Sequence, residues 1–555
     1  MSFRVYGWLF LLGLGVALLP ATLERGPGYM DAEYYLAGGQ QLATGKGFSE
    51  PFLWNYLDDP AGIPHPSHAY WMPLASILAA IGMLVTGVAD FSAARIGFLI
   101  LAGFVPPITA ALAYSITQNR NSAILAGLLA VFSGFYLPFL PTTDTFAIYM
   151  LLGGLFFLAL SPRAPIPVHI TSVLLGLLAG LIHLSRADGL LWLLIAFIAI
   201  LYLNRRSRTI HPAPRTTQEV PSDTNHATRT TYAASRFTPH VSRLTLHASL
   251  VLLGYLVVAG PWILRNLSVF GTFLSPGGLR ALWLTSYDEI FSYPGSILTF
   301  NHWIDSGLRS ILAARLWALS QNLQTTLAVQ GEIFLLPLIV ASGWRLRRDP
   351  RVKLGLLAWS GIFFAMTVIF PFPGARGGLF HSGAALQPLW WALAPVGLER
   401  FLDIGVEKRG WQKERARKVF SWGLVALAAF LTIIIGYLRI VSNDDSGLAW
   451  NQTPRYYSQI EACLGEHGIA KGEIVMVNNP PGYYVATGRS AIVVPDGDVQ
   501  STLAAAQRYH AHYLLLESNH PQGLNDLYQD PGNLSDLDYL YSLGDTHIFK
   551  LTDVP

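Results

Sequence analysis

Eleven runs of apolar residues, each long enough or nearly long enough to cross a lipid bilayer, dominate this sequence of 555 residues. A bilayer core needs about 20 residues of helix, or somewhat fewer when flanking side chains reach the interface. Because 52% of the residues are hydrophobic and only 13% are charged, a soluble fold could not bury this much apolar surface. The sequence therefore predicts a mainly α-helical, polytopic membrane protein with about eleven transmembrane helices. The runs lie at 5–22, 94–117, 121–140, 145–160, 170–185, 189–203, 248–264, 331–344, 354–371, 383–402 and 418–438.

Charge and cysteine content exclude several other classes of protein. The net charge of +3 and the lack of a basic stripe interleaved with aromatic residues argue against a nucleic-acid partner. A single cysteine, Cys463, excludes an intramolecular disulfide and a cysteine-based zinc site. The first apolar run follows Arg4 and shows no clear cleavage site, so we interpret it as a retained anchor in contact with membrane lipids.

The orientation of the chain depends on whether residues 71–89 cross the membrane. If this stretch is an external juxtamembrane or re-entrant helix, the basic clusters downstream all fall on the side of Arg4. Positive charge is enriched on the cytoplasmic side of membrane proteins, which favours this arrangement. The sequence thus predicts a multi-pass plasma-membrane protein with a cytoplasmic N-terminus and an extracytoplasmic C-terminal region. The basic clusters are Arg120, Arg163, Arg205–Arg208, Arg345–Arg348 and Lys408–Lys418.

Composition divides the chain into four parts. Residues 1–203 form an N-terminal transmembrane module that carries an external loop, 23–93, and residues 248–440 form the remaining transmembrane module. Between them, 204–247 is rich in Ser, Thr, Arg, His and Pro and is predicted to be a disordered cytoplasmic insert. In 441–555, short apolar runs such as GEIVMVNN alternate with amphipathic segments, which predicts an extracytoplasmic α/β domain with some parallel sheet.

An acidic and aromatic segment, MDAEYY, begins at Met30, soon after the first apolar run ends. If it is helical, Asp31 and Tyr35 share a face while Glu33 points elsewhere. A carboxylate at a membrane surface can act as a general base toward an acceptor hydroxyl or amine. Asp31, Glu33 and Asp144, an acid at another external helix end, are therefore catalytic candidates, and Tyr35 is a candidate for substrate binding. Solvated loop carboxylates without a catalytic role are the alternative.

Cationic and ionisable groups also lie at the predicted external ends of other spans. Arg186 and Asp188 sit between two apolar runs, where ionisable groups are costly and hence indicate function. Arg265, Arg376 and His381 lie in glycine- and proline-rich breaks, and an arginine fork suits a phosphate. These five residues are candidates for binding an anionic substrate. The alternatives are that Arg186 and Asp188 form an ion pair that only stabilises a turn, and that the other arginines only anchor the helices at the membrane interface.

The first external loop also contains a local concentration of metal-binding residue types. Asp58, His65 and His68 offer carboxylate and imidazole ligands, so a divalent metal is one interpretation. Their spacing matches no diagnostic motif, however, and DDPAG is a good turn sequence.

Four segments together give the chain a resemblance to the GT-C superfamily of polyprenyl-phosphate-sugar-dependent membrane glycosyltransferases. The closest likeness is to the branch of protein O-mannosyltransferase-like and lipid A aminoarabinose transferase-like enzymes. The segments are MDAEYYLAGGQQLATGKGF, HPSHAYWMPLASILAAIGMLVTG, HLSRADGLLWL and PWILRNLSVFGTFLSP, which span most of residues 1–280. Members typically add a C-terminal extracytoplasmic domain, which the tail resembles.

The resemblance implies a hexosyltransferase-like enzyme that acts on the external face with an isoprenoid-phosphate sugar as donor. Asp31 matches the position of the catalytic base, and Asp144 resembles the second acidic position. Arg265 lies in the PWILRN segment, where a phosphate contact is implied. The family usually has adjacent Asp and Glu, whereas Ala32 separates the two acids here. No nucleotide cofactor is implied, and a divalent metal is left open because its use differs among branches.

Two other classes of function compete with a glycosyltransferase. A transporter or flippase would place charged or broken helices near the bilayer midplane. A scaffold that merely presents the C-terminal domain would need no shared site. Convergence of Asp31, Asp144, Arg186 and Arg265 in one cavity would favour the enzyme. The acceptor, whether protein, lipid or glycan, is not specified by the sequence.

Overall fold

Helices make up most of the structure. Helices α1 to α10 are Phe3–Leu23, Met30–Ala43, Leu74–Thr86, Phe91–Ala94, Ile96–Thr117, Arg120–Val131, Phe146–Ala159, Val168–Ser185, Leu190–Ile210 and Thr228–Phe270. Helices α11 to α18 are Pro276–Arg280, Phe300–Asp305, Gly307–Thr325, Leu336–Arg345, Pro350–Phe364, Gly378–Gly383, Gln387–Arg409 and Lys413–Gly436. The computed structural model describes residues 1–161, 163, 166–210, 228–374, 377–442, 447–532 and 537–552, without the side chains of 204–210 and 228–242.

Each of the eleven predicted apolar runs contains one of these helices. By length and composition, six helical stretches of the described chain can cross a membrane, and several other apolar helices are shorter. The mainly helical fold is therefore as predicted, while the number of eleven spans stays a prediction. The six stretches are Phe3–Leu23, Phe91–Thr117, Val168–Ser185, Arg243–Phe270, Pro350–Ile369 and Lys413–Val441.

Residues 71–89 contain the short helix α3, which packs along α2. Its 13 residues extend over about 20 Å, which is less than the thickness of a bilayer core. The helix ends at Gly87, whose φ of +73° favours glycine. At Gly39 of α2, an added Cβ would lie 2.7 Å from the Cβ of Ala79, so the two helices approach closely.

The predicted disordered insert, 204–247, needs correction at both of its ends. Helix α9 continues to Ile210 and α10 starts at Thr228, so these flanks are helical. A helix that has already formed in the membrane adds residues at little cost, which explains why polar flanks continue it. The middle of the insert, 211–227, lies outside the described residues.

Helix α13 was not predicted. Arg309 and Arg315 interrupt its hydropathy, so the segment does not read as an apolar run. The Arg315 guanidinium donates hydrogen bonds to the backbone oxygens of Thr285 and Leu284, which ties α13 to the segment between α11 and α12.

The C-terminal region is a small α/β domain. It contains α19 Gln452–Glu466, α20 Pro480–Thr487, α21 Val499–Tyr509 and α22 Asn525–Gln529, and strands Ile474–Val477, Ala491–Val493, Ala511–Leu516, Leu537–Leu543 and Thr546–Leu551. A two-stranded pair in the first loop, β1 Ser49–Glu50 and β2 His65–Pro66, precedes these strands, which are therefore β3 to β7.

The sheet of this domain has the order β4-β3-β5-β7-β6. Strands β3, β4 and β5 are parallel, in the segments where the sequence predicts buried strands. The antiparallel hairpin of β6 and β7 was not predicted. Strand β6, LDYLYSL, has mostly solvent-facing side chains, and Asp538 and Ser542 interrupt its apolar residues.

Loops from the helical part extend this sheet at its β4 edge. Leu53 of the first loop pairs with Ile492, and its backbone oxygen accepts a hydrogen bond of 2.8 Å from the Val493 N–H. Ser292 forms a second bridge, to Asp496. At the end of α1, the Trp450 indole donates to the Gly26 oxygen at 3.0 Å. The α/β domain thus contacts the loops that follow α1, α2 and α11.

Candidate active site

Three elements from distant parts of the sequence bring Asp31, Asp144 and His381 together. Asp31 lies in the first turn of α2, where the positive end of the helix dipole favours a carboxylate. Asp144 lies in the turn before α7, and His381 lies in α16. The His381 Nε2 atom is 2.9 Å from Asp144 Oδ2 and 3.6 Å from Asp31 Oδ2.

Hydrogen bonds fix the inner members of this cluster. The Tyr29 hydroxyl donates to Asp144 Oδ2 at 2.7 Å. The His381 Nδ1 atom donates to the Gly377 oxygen at 2.6 Å, which turns Nε2 toward the two carboxylates. On α2, the Ala32 oxygen accepts a hydrogen bond of 2.6 Å from the Thr143 hydroxyl. The helix that carries Asp31 is thereby tied to the turn that carries Asp144.

The two carboxylates differ in exposure and in acidity. The side chain of Asp144 is 1% exposed and that of Asp31 is 28% exposed, so Asp31 is the accessible acid. Burial alone would raise the pKa of Asp144, but His381 and the hydrogen bonds to Asp144 lower it below its usual value. Burial raises the pKa of Asp31 to about 6, with His381 opposing part of the rise. Burial would lower the pKa of His381, yet the Asp144 carboxylate raises it overall.

A cavity of about 310 Å³ opens beside this cluster. Asp31, Tyr35, Arg186, Asp188 and His381 line it, so five of the predicted site residues meet there. The Arg186 Nε atom donates to Asp188 Oδ1 at 3.0 Å, which holds the guanidinium at the junction of α8 and α9.

Aromatic rings form one wall of the cavity. The indoles of Trp54 and Trp71 are stacked, with ring centroids 3.8 Å apart and planes within 7°. Tyr70 lies edge-on to Trp54 at 5.2 Å, and all three residues line the cavity. Flat aromatic faces of this kind suit the apolar face of a sugar ring and exclude water.

The predicted arginines differ in their placement. The Arg265 guanidinium does not line the cavity: it lies over the rings of Trp262 and Phe270, at 4.7 and 4.8 Å, and donates to the Ser67 oxygen at 2.9 Å. Its partial burial among aromatic rings gives it a packing role, while the next residue, Asn266, lines the cavity. Arg376 lies outside the described residues.

Glu33 does not join the Asp31 cluster. It is 1% exposed, and its Oε2 atom accepts a hydrogen bond of 2.7 Å from the Asn479 amide of the α/β domain. Burial raises the pKa of Glu33 to about 7, although the hydrogen bond from Asn479 lowers it in part. Residues two apart on a helix point in nearly opposite directions, which separates Glu33 from Asp31.

Asp58, His65 and His68 do not form a three-ligand metal site. The His65 ring lies between Glu50, at 2.9 Å, and Asp58, at 3.7 Å. The His68 ring instead contacts the hydroxyls of Ser67 and Ser76. Burial lowers the pKa of His68 to about 3. The two histidines therefore face different partners, and the spacing in the sequence did not reveal this.

Within the described residues, one group of three metal-ligating side chains does converge, and it is Asp31, Asp144 and His381. Each offers a ligand atom within 4.8 Å of the others. Carboxylate oxygens and an imidazole nitrogen fit a divalent ion, and the hydrogen bond from Nδ1 to Gly377 is the outer-shell contact that orients such a ligand.

The sequence patterns did not indicate that Tyr29, Asn266 and Glu50 belong to these clusters. Tyr29 stands two residues before Asp31, and Asn266 follows Arg265, so both are adjacent to residues that were singled out. Glu50 is 15 residues before His65, and only the pairing of β1 with β2 brings them together.

Comparison with known proteins gives matches in structure but not in sequence. No protein-family model matches the sequence, and no curated protein matches it. The crystal structure of ArnT from Cupriavidus metallidurans in the apo state is similar over 98% of both chains, with a TM-score of 0.54 and 12% identity.

Archaeal oligosaccharyltransferases from Archaeoglobus fulgidus are also similar. AglB in complex with an inhibitory peptide and a dolichol-phosphate has a TM-score of 0.51 and 14% identity, covering 100% of this chain and 75% of that one. The apo oligosaccharyltransferase has a TM-score of 0.51 and 13% identity over 93% and 69% of the two chains. Together with the apolar helices, this likeness indicates a multi-pass membrane protein. The chain thus shares the fold of ArnT and AglB, both membrane glycosyltransferases of the GT-C superfamily that its motifs resemble.

Proposed function

We propose that the protein transfers a sugar from a polyprenyl-phosphate donor to an acceptor on the external face of the membrane. The observation that carries this proposal is the position of Asp31, the accessible carboxylate of a buried cluster, on the wall of a cavity that Arg186 also lines. The fold shared with membrane glycosyltransferases supports it, and one of the similar structures is a complex with a dolichol-phosphate.

Asp31 is the general base of the proposed reaction. Its carboxylate takes the proton of the acceptor hydroxyl or amine while the acceptor atom bonds to the anomeric carbon of the sugar. The bond between that carbon and the phosphate oxygen breaks, and its electron pair leaves with the lipid phosphate. Asp144 and His381 hold the region around Asp31: the Asp144 side chain is enclosed, while His381 lines the cavity beside Asp31.

Arg186 is the group that stabilises the departing phosphate. It lines the same cavity as Asp31, and among the described residues its guanidinium donates one hydrogen bond, from Nε to Asp188, which leaves the Nη donors for a ligand. A charged fork that faces the developing negative charge favours the transition state. We assign this role to Arg186 in preference to Arg265, whose guanidinium is stacked among aromatic rings.

The convergence of these groups favours an enzyme over a scaffold. A scaffold has no need for Asp31, Arg186 and a stacked pair of tryptophans in one cavity. A transporter would be expected to place its ionisable groups along a path through the membrane. The groups of this cluster instead gather where helices end, beside the α/β domain.

Mass spectrometry of membrane glycolipids and glycoproteins tests the proposal. Cells that produce the protein should carry a glycosylated species that is missing from cells without it and from cells with Asp31→Asn at equal membrane levels. Unchanged glycosylation with Asp31→Asn would reject the base assignment. Unchanged glycosylation in all three would reject the proposed function.

A further inference from the structure

One contact links the helix of the Asp31 carboxylate to the α/β domain. The Asn479 Nδ2 atom donates to Glu33 Oε2 at 2.7 Å. The other end of the Asn479 amide is also fixed, because its Oδ1 atom accepts the Gly482 N–H at 3.1 Å and caps α20. The amide therefore has one orientation, with its donor directed at Glu33.

The approach between α2 and α20 at this point is close. A Cβ added to Gly482 would lie 2.5 Å from Asn479 Nδ2 and 2.6 Å from Glu33 Oε2, so the carboxylate lies close against the first turn of α20. At the far end of α2, the Gln41 amide donates to the Tyr484 hydroxyl at 2.9 Å. Glu33 and Gln41 are both buried and are eight residues apart, so the same side of α2 is held at two points.

These contacts set how α2 is rotated about its own axis. Asp31 precedes Glu33 by two residues, which places the two side chains about 200° apart around the helix. When Glu33 is fixed on the α/β domain, Asp31 is directed at His381, 3.6 Å away. A small rotation would move the Asp31 carboxylate away from this position.

We infer that Glu33 and Asn479 are positioning residues, through which the α/β domain aligns Asp31 with Asp144 and His381. The inference rests on the proposed function, since it assigns the domain a part in the same transfer reaction. Glu33 thus contributes to catalysis through Asp31 and does not touch the substrate. The domain acts as a structural part of the site although it lies on the far side of α2.

Transfer kinetics of the purified, full-length protein in lipid nanodiscs test the inference. Asn479→Ala should lower kcat by about 10- to 100-fold, because displacement of a catalytic group by about 1 Å has effects of this size. The donor KM should change little. Glu33→Gln should keep most of the activity, since its amide oxygen still accepts from Asn479. The matched control is Asn478→Ala, because that side chain donates to the Asn519 oxygen within the domain and does not reach α2.

A pair of substitutions that exchanges the hydrogen-bond donor and acceptor distinguishes a positioning role from a general loss of stability. Asn479→Asp sets two carboxylates against each other and should lower kcat further. Adding Glu33→Gln to that variant restores one donor and one acceptor, so activity should recover at least about 10-fold. A double variant no more active than Asn479→Asp alone, or an Asn479→Ala variant with the kcat of the parent protein, would overturn the inference.

Hydrogen exchange of the α2 amides distinguishes failure of the inference from failure of the proposed function. Asn479→Ala should speed exchange in Met30–Ala43, and Asn478→Ala should not. If the parent protein transfers no sugar but this exchange difference is present, the proposed function fails and the positioning contact stands. If the parent protein is active and neither kinetics nor exchange responds to Asn479→Ala, the positioning role is wrong.

Discussion

The two sides of helix α2 place similar acids in different surroundings. On the cavity side, Asp31 shares a buried ionic cluster with Asp144 and His381 and keeps 28% of its side chain exposed. On the domain side, Glu33 is enclosed and has a neutral amide, Asn479, as its hydrogen-bond partner. The comparison teaches that two carboxylates only two residues apart can face a cavity and a neighbouring domain, because a helix turns them to opposite sides.

The largest effect is expected from removal of the imidazole on the cavity side. His381→Ala would leave the Asp31 and Asp144 carboxylates near each other without the cation between them. Breaking such a buried pair costs about 3–5 kcal/mol, and transfer should fall by at least about 100-fold. Transfer rates and thermal unfolding check this. A variant with nearly parental activity would show that the ionic cluster is not part of the site.

Substitutions of Arg186 and Arg265 compare an arginine that lines the cavity with one that does not. Arg186→Ala should lower kcat/KM for the donor about 10- to 100-fold, because a charge-assisted hydrogen bond to the departing phosphate contributes about 1.5–3 kcal/mol. Arg265→Ala should reduce thermal stability through lost ring contacts but leave kcat/KM for the donor within about 2-fold. Initial rates at varied donor concentration measure both. A larger donor effect for Arg265→Ala would reverse the assignment of the phosphate contact.

A smaller effect is expected on the pH dependence of stability, from Glu33 on the side of α2 that faces the α/β domain. The pKa of Glu33 is raised by burial from 4.5 to about 7, so between these values the folded protein holds a proton that the unfolded chain has released. The stability that comes from this group is fully present below about pH 4.5. As the pH rises through about 7, the free energy of unfolding falls by at most about 3 kcal/mol. Glu33→Gln should flatten the decline of stability between pH 5 and about 8 in denaturant titrations. An unchanged slope would mean that Glu33 is not the group responsible.

Much of the fold follows from the sequence because its strongest signals are local. The eleven apolar runs each contain a helix, and the parallel strands β3 to β5 lie in the predicted apolar segments. Helix α13 was missed because its two arginines interrupt its hydropathy, and β6 because Asp538 and Ser542 interrupt its apolar residues.

Several of the residues that converge were singled out from the sequence, but their pairings were not. The candidates Asp31, Asp144, Arg186 and His381 meet in or beside one cavity. Their grouping depends on contacts across more than 100 residues, which no local pattern encodes. Local patterns could not place Glu33 either, because its hydrogen-bond partner, Asn479, is 446 residues away in the sequence.

The most direct measurement is the rate of sugar transfer by Asp31→Asn and Glu33→Gln, compared side by side in one lipid preparation with a polyprenyl-phosphate sugar. Both substitutions replace an acid by its amide at nearly constant shape. Our account predicts a loss of at least about 100-fold for Asp31→Asn and less than about 3-fold for Glu33→Gln. Equal losses in the two variants, or full activity with Asp31→Asn, would contradict it.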